Sequence, residues 1–182
     1  RYMLNRLDDA TAAFEKALAL GMEDRSPAGI SARANAHYQI SLLRTLTGRP
    51  KAGRQHALLS LEDANTTNRT YLQFSAYFVL ALSSYYLGAY HQAREYTRIG
   101  INLAERTQGV RMLGYYHGYA SAADLVLGYV DSALSFAKKT LRFGEEFALN
   151  DVIAMGCRHL ADVYTVLRAP QRAVPYYQRG AM

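Results

Sequence analysis

The chain has 182 residues, half of them apolar, which is enough to bury a core and excludes global disorder. Its net charge of +6 is spread along the sequence without a tight basic face or a reading motif, so we expect no nucleic-acid binding by this segment. The single cysteine, Cys157, excludes an internal disulfide and a zinc site of several cysteines, and it fits a reducing, cytoplasmic location.

One alanine-rich segment, "NRLDDATAAFEKALAL", begins at Asn5. Segments with a similar pattern of small and apolar residues begin at Gly48, Gly88, Gly128 and Arg168. The starts are 43, 40, 40 and 40 residues apart. The sixth residue of every copy is small, and so is the residue seven positions before each later start. These small residues are Ala10, Gly53, Ala93, Ala133, Ala173, Ser41, Ala81, Ser121 and Ala161.

Small residues that recur beside large aliphatic residues at helical spacing indicate pairs of closely crossing helices. One such hairpin cannot bury its apolar face alone, whereas stacked hairpins can. The sequence therefore predicts an all-α solenoid of about four and a half antiparallel hairpins. Its repeat units lie near residues 1–25, 26–67, 68–108, 109–149 and 150–182.

Turn and cap residues give the bounds of the helices. Ser26 followed by Pro27 is typical of a helix start, with serine as the N-cap and proline in the first turn. Gly48, Gly88 and Gly128 lie where the first helix of each pair must end and turn. The nine predicted helices lie near residues 5–20, 27–47, 50–65, 69–87, 90–106, 110–127, 130–147, 151–167 and 170–181.

Three later positions refine this assignment. Asn150 is expected to cap the helix that begins near Asp151, and Pro170 fits a first turn. Pro175 lies inside the last predicted helix, where it should kink or fray that helix.

Residues 71–90 have the length of a membrane span and no formal charge. Polar residues interrupt them and they occupy a regular place in the repeat, so we predict a buried helix and no membrane contact.

The segment "DDATAAFEKAL" contains Ala10, Phe14 and Ala17, and "ADVYTVL" contains Ala161 and Tyr164. A small residue in the first helix, glycine at the turn and Ala-x-x-x-aromatic-x-x-Ala in the second helix are typical of the tetratricopeptide repeat. The chain resembles this family over essentially its whole length. The resemblance implies a right-handed superhelix.

The chain departs from the family pattern in three respects. Its period is 40 residues rather than about 34. The aromatic position of the second helix is occupied by Ala57, Thr97 and Ala137 in the middle units. The family's proline at the end of a unit is missing. Units of this length look like the helical-repeat regions of large bacterial signalling proteins, including ATP-dependent transcription activators and cyclase-linked regulators.

No constellation of residues in the sequence indicates catalysis or metal binding, so we expect no enzyme activity and no cofactor. The five histidines form no His-Glu-x-x-His pair. His37 and His117 share one repeat position with Cys157, for which we expect packed rings and a small buried thiol. "GVRMLGYYHG" lacks the Gly-Lys-Ser/Thr ending of a phosphate loop.

In the family that the chain resembles, the first helices of the pairs line a concave side where ligands often lie. Transferring those positions by register implies a groove that is rich in tyrosine and poor in charge. Tyrosine suits recognition because it offers contact area and a hydroxyl at low entropy cost. The implied groove residues are Asn35, Tyr38, Leu42, Thr45, Ser75, Phe78, Leu82, Tyr85, Tyr115, Gly118, Ala122, Leu125, Met155, Arg158, Asp162 and Thr165. The alternative is that many of them form core.

Two functional hypotheses remain open at this point. The first is an interaction scaffold that binds a peptide or a partner domain in the groove. The second is a ligand-sensing or regulatory segment of a bacterial signalling protein or transcription activator, in which a small apolar or aromatic molecule occupies the groove. We also expect the chain to be a piece of a longer protein. Self-association is expected through its uncapped end helices, because their apolar stripes lack a cover.

Overall fold

A computed structural model of the chain describes residues 2–107 and 109–181. These residues form helices and turns, with no strand among them. The predicted unit boundaries at residues 1, 108 and 182 lie outside the described residues. The helices are α1 (Tyr2–Gly21), α2 (Pro27–Leu46), α3 (Pro50–Thr66), α4 (Thr70–Tyr86), α5 (Tyr90–Thr107), α6 (Val110–Val126), α7 (Val130–Glu146), α8 (Asn150–Val166) and α9 (Pro170–Gly180).

The bounds agree with the predicted helices to within a few residues. Ser26 is the N-cap of α2, and its hydroxyl oxygen accepts a hydrogen bond from Gly29 N at 3.0 Å, as predicted. The prediction for Asn150 was wrong, because it is the first residue of α8 and Leu149 precedes the helix without a side-chain cap. Pro175 does not end α9, which continues to Gly180. None of the described helices is both long and apolar enough to cross a membrane.

The chain divides into two compact units, Arg1–Ala89 and Tyr90–Met182. In the first unit α1 to α4 each pack against the next helix, and α2 also packs against α4. In the second unit α5 to α9 pack in the same succession, and α6 also packs against α8. We call α2, α4, α6 and α8 the first helices of the hairpins, and the side on which two of them lie together is the first-helix face of that unit.

The helices end in one repeated turn. After α2, Arg49 N donates to Arg44 O at 2.8 Å and Gly48 N donates to Thr45 O at 3.2 Å. This Schellman pattern requires a positive φ at the residue after the cap, which is +81° at Gly48. The same pair of bonds follows α6, where Gly128 has a φ of +82°. After α8 the corresponding residue is Arg168, with a φ of +55°.

The predicted small positions lie at the helix crossings. Ala133, Ser41 and Ala161 are completely buried. In the second unit the Ser121 hydroxyl on α6 donates to Ala133 O on α7 at 2.8 Å. A larger side chain at such a position would have to push two backbones apart, which is why the sequence keeps these positions small.

Histidine rings fill part of the core. His117 and His159 are almost fully buried, and burial lowers the pKa of each to about 4, with nearby cationic side chains adding a smaller effect. In the first unit His37 Nδ1 lies 3.0 Å from His56 Nδ1, so one ring donates and the other accepts. Burial, and for His37 also the neighbouring His56, lowers the pKa of both rings. All four rings are therefore neutral at pH 7, and the packed ring expected at positions 37 and 117 is present.

The turn residues predict opposite effects of two exchanges in the second unit. Gly128→Ala should lower the free energy of unfolding by about 1 kcal/mol, because alanine resists a positive φ. A Cβ at Gly128 would meet no atom within 4 Å, so any loss of stability would come from the backbone conformation alone. Arg168→Gly should raise the free energy of unfolding by up to about 1 kcal/mol. Urea denaturation measures both, and a stabilising Gly128→Ala would contradict the assigned turn.

The close helix crossings predict that larger side chains at these positions destabilise the fold. Ala133→Leu should lower the free energy of unfolding by roughly 1–3 kcal/mol, because the side chain has no room at the α6–α7 contact. Ala93→Leu should act similarly. Ser135→Leu, on the exposed side of α7, is the control and should change stability by less than about 0.5 kcal/mol. An unchanged denaturation midpoint for Ala133→Leu would show that the helix register is wrong.

The buried histidines predict loss of stability in mild acid. As pH falls below 6.5, the unfolded chain binds protons that His117 and His159 do not take up in the native state until about pH 4. The free energy of unfolding should therefore fall by up to about 1.4 kcal/mol per pH unit for each ring. The His117→Tyr variant places here the residue type found one period earlier, at Tyr77. At pH 5.5 the slope of its unfolding free energy against pH should correspond to nearly one bound proton less than in the wild type. An unchanged slope would show that His117 titrates normally.

Candidate functional site

An ion pair and a hydrogen bond join the two first helices of the second unit. Arg111 on α6 and Asp151 on α8 are one 40-residue period apart in sequence. Arg111 Nη1 donates to Asp151 Oδ2 at 2.5 Å, and the Tyr115 hydroxyl donates to the same oxygen. The side chains of Arg111 and Asp151 are 56% and 43% exposed, so the cluster is open to a partner.

The electrostatics of this cluster keep the carboxylate charged. Partial burial by itself would raise the pKa of Asp151, but the hydrogen bond from Tyr115 and the charge of Arg111 outweigh it and lower that pKa. Burial, followed by the bond to Asp151, raises the pKa of Tyr115. At neutral pH Asp151 is therefore an ionised acceptor and Tyr115 a protonated donor. Both are groups that recognise polar ligands.

Further along the same face, packing alternates with exposed charge. A Cβ on Gly118 would lie 2.2 Å from Sδ of Met155, so the missing side chain of Gly118 gives Met155 its place. Met155 itself is half-buried and Arg158 is exposed. The Asp162 carboxylate, also partly exposed, accepts a hydrogen bond from the Tyr177 hydroxyl of α9 at 2.8 Å. This end of the face thus offers a cation, an anion and a thioether.

The first-helix face of the first unit is less polar. Asn35 on α2 is exposed, while Tyr38 and Leu42, one and two turns later, are half-buried. Tyr85 on α4 is also half-buried, and its ring lies edge-on to that of Tyr86 with centroids 5.9 Å apart. Amide, phenol and aliphatic groups are therefore accessible here without a formal charge among them.

Several residues implied by the family register are core rather than surface. The hydroxyls of Thr45 and Ser75 donate to carbonyl oxygens of their own helices at 2.8 Å. Phe78 is 7% exposed and Leu82 is 1% exposed, so a partner docking on this structure cannot contact their side chains to any extent. Leu125 is half-buried, whereas Thr165 is exposed. The buried members of the implied groove are Thr45, Ser75, Phe78, Leu82, Gly118 and Ala122.

Sequence reasoning missed three residues that take part in the polar contacts of this face: Arg111, Asp151 and Tyr177. A signal for the first two was present, because opposite charges stand one period apart and adjacent first helices run side by side. Tyr177 gave no such signal in the sequence. It lies on α9, and only the length of its side chain brings its hydroxyl to the first-helix face.

The single thiol of the chain serves packing. Cys157 is completely buried with Ala137 and Leu160, and burial raises the pKa of its thiol. Among residues 2–107 and 109–181, no three His, Cys, Asp or Glu side chains form a group that could hold a metal ion.

Comparisons by sequence found no matching family model and no similar curated protein. Comparison by structure found three informative similarities. A Rap protein complexed with Competence and Sporulation Factor has a TM-score of 0.85 at 13% identity, over 98% of this chain and 49% of that chain. A signal transduction ATPase with a tetratricopeptide repeat sensor from Pyrococcus horikoshii has a TM-score of 0.77 at 18% identity, over 96% and 27%. A putative kinesin light chain with tetratricopeptide-like repeats from Podospora anserina has a TM-score of 0.71 at 13% identity, over 97% and 86%.

The chain spans about half the length of the Rap protein and about a quarter of the ATPase. At these identities the similarity establishes the fold. It agrees with the hairpins, the small crossing residues and the glycine turns described above. The described residues therefore have an all-α helical-repeat fold like that of tetratricopeptide-repeat proteins.

Proposed function

We propose that the chain is an interaction scaffold, without catalytic activity of its own, which binds a peptide or a partner domain on its first-helix faces. The observation that carries the proposal is the set of accessible recognition groups left on these faces once the core is packed. In the second unit these are Tyr115, Arg111, Asp151, Arg158 and Asp162. In the first unit they are Asn35, Tyr38, Leu42 and Tyr85.

The chemistry of these groups suits a polypeptide. Half-buried tyrosines offer apolar area that a side chain can cover, with a hydroxyl for a backbone carbonyl or amide. Arg158 and Asp162 lie one helical turn apart on α8 and present both signs of charge, which favours a partner with mixed polarity over a multiply charged one.

The structural similarities support a binding role. The Rap protein structure is a complex with Competence and Sporulation Factor, so a protein that contains this fold binds a partner. The Pyrococcus horikoshii ATPase is described as having a tetratricopeptide repeat sensor. The latter supports a second candidate function, a ligand-sensing or regulatory segment of a signalling protein, in which occupancy of the same faces would be the signal.

The proposal predicts that tyrosine exchanges remove binding without unfolding the chain. Peptides selected from a random display library on the wild-type chain should bind Tyr115→Ala or Tyr38→Ala at least about thirtyfold more weakly, because aromatic anchors often contribute 2 kcal/mol or more. Tyr115→Phe keeps the ring and loses the hydroxyl, so it should show a smaller loss. Fluorescence anisotropy gives the affinities, and thermal unfolding is recorded in parallel.

Lys51→Ala, on the exposed surface of α3, is the matched control and should leave the affinity unchanged. Selected peptides that bind the tyrosine variants as tightly as the wild type, while both variants stay folded, would contradict the proposal. If Tyr38→Ala and Tyr115→Ala instead unfold the chain, these rings are structural and the binding surface lies elsewhere.

A further inference from the structure

The second unit contains a cleft on the side away from its first-helix face. The cleft has a volume of about 350 Å³ and lies between α5 and α7, with α6 as its floor. Thr97, Ala120 and His117, all buried, form its inner end, and Ile101 and Phe136 contribute apolar walls. The volume falls at the lower end of the range for small-molecule sites, roughly 300–1,000 Å³.

The inner wall of the cleft is flat and uncharged. The ring of His117 stacks on that of Phe136, with centroids 5.6 Å apart and planes 28° from parallel. Because burial lowers the pKa of His117 to about 4, the stack carries no charge at pH 7. A planar apolar group placed against this wall would extend an existing aromatic stack.

Positive charge is concentrated at one end of the cleft. A smaller cavity of about 200 Å³ shares Lys139 with the cleft and is lined by Lys138, Arg142 and Ser135 as well. None of these three cations takes part in the ion pairs found among the described residues. The Lys139 ammonium lies over the Phe136 ring, 5.5 Å from its centroid.

The other cations of the cleft are already neutralised. Arg94 Nε lies 2.6 Å from Asp124 Oδ1, and Arg98 Nη2 lies 2.7 Å from Glu95 Oε1. Glu105 is the remaining carboxylate of the lining, one negative charge against the three positive charges of Lys138, Lys139 and Arg142. The unneutralised charge around the two cavities is therefore positive.

From this separation of a flat apolar wall and a cationic end, we infer that the cleft binds a small organic anion with a planar apolar body. The body stacks in the α5–α7 cleft, and a single carboxylate, sulfonate or phosphate group accepts hydrogen bonds from Lys139 and its two cationic neighbours. Such charge-assisted bonds are among the stronger polar contacts in proteins. This site is independent of the proposed first-helix faces, because it shares no residue with them.

The test compares two naphthalene probes that differ in charge. 2-Naphthoate and the neutral 2-naphthylmethanol are titrated into the 182-residue chain, and amide chemical shifts are followed by NMR. 2-Naphthoate should bind roughly tenfold more tightly, as expected for one charge-assisted contact. The shifts should centre on Thr97, Ile101, Ala120 and Phe136.

Two variants separate charge from stacking. Lys139→Gln should abolish most of the preference for 2-naphthoate, whereas Phe136→Leu should weaken both probes to a similar extent. Lys16 has an exposed side chain on α1, so Lys16→Gln is the matched charge control and should bind both probes like the wild type. Lys139 is exposed, so its exchange should leave the thermal midpoint unchanged, which is measured alongside.

Equal affinity for the two probes, no saturable binding, or shifts centred on Tyr38 or Tyr115 would each overturn the inference. The last outcome would assign the probes to the first-helix faces. Loss of peptide binding in the tyrosine variants, by contrast, bears only on the scaffold proposal, so the two proposals can fail separately.

Discussion

The fold depends on helix backbones that approach too closely for ordinary side chains. At the α7–α8 contact, a Cβ on Gly144 would lie 2.7 Å from Ile153 N, and a Cβ on Gly156 would lie 2.6 Å from Leu141 N. No real Cβ tolerates such distances, so each glycine permits the partner helix its position. The alanines and serines at the other crossings also permit a close approach, although their side chains add one or two heavy atoms. Close crossings at a fixed period are what align the helices of each hairpin.

This constraint also explains why polar residues can occupy buried positions. A hydroxyl is small enough for a crossing, and it can bond to a carbonyl of its own helix, as Thr140 Oγ1 does to Phe136 O at 3.0 Å. The Ser60 hydroxyl instead reaches across to Ala34 O of the neighbouring helix at 2.8 Å. Serine and threonine therefore replace alanine without leaving unsatisfied groups in most cases.

The sequence predicts the fold well because the same physical requirement returns every 40 residues. The small residue at Ala133 and the turn at Gly128 could be placed from spacing alone. The candidate site was less predictable, because register gives the side of a helix but not the depth to which neighbouring helices cover it. Tyr38 and Phe78 occupy the same register position, yet Phe78 is core and Tyr38 stays half-buried on the first-helix face of the same unit. The α5–α7 cleft could not be predicted, since it requires three helices at known distances.

The most direct test of this account is a measurement of which residues meet at the crossings. Nuclear Overhauser effects in the wild-type chain report short proton–proton distances without any exchange of residues. The account predicts strong cross-peaks between Gly144 and Ile153 and between Gly156 and Leu141, together with one between Ser121 and Ala133. Cross-peaks from the two glycines to residues one helical turn away along the partner helix would contradict the register on which both binding proposals depend.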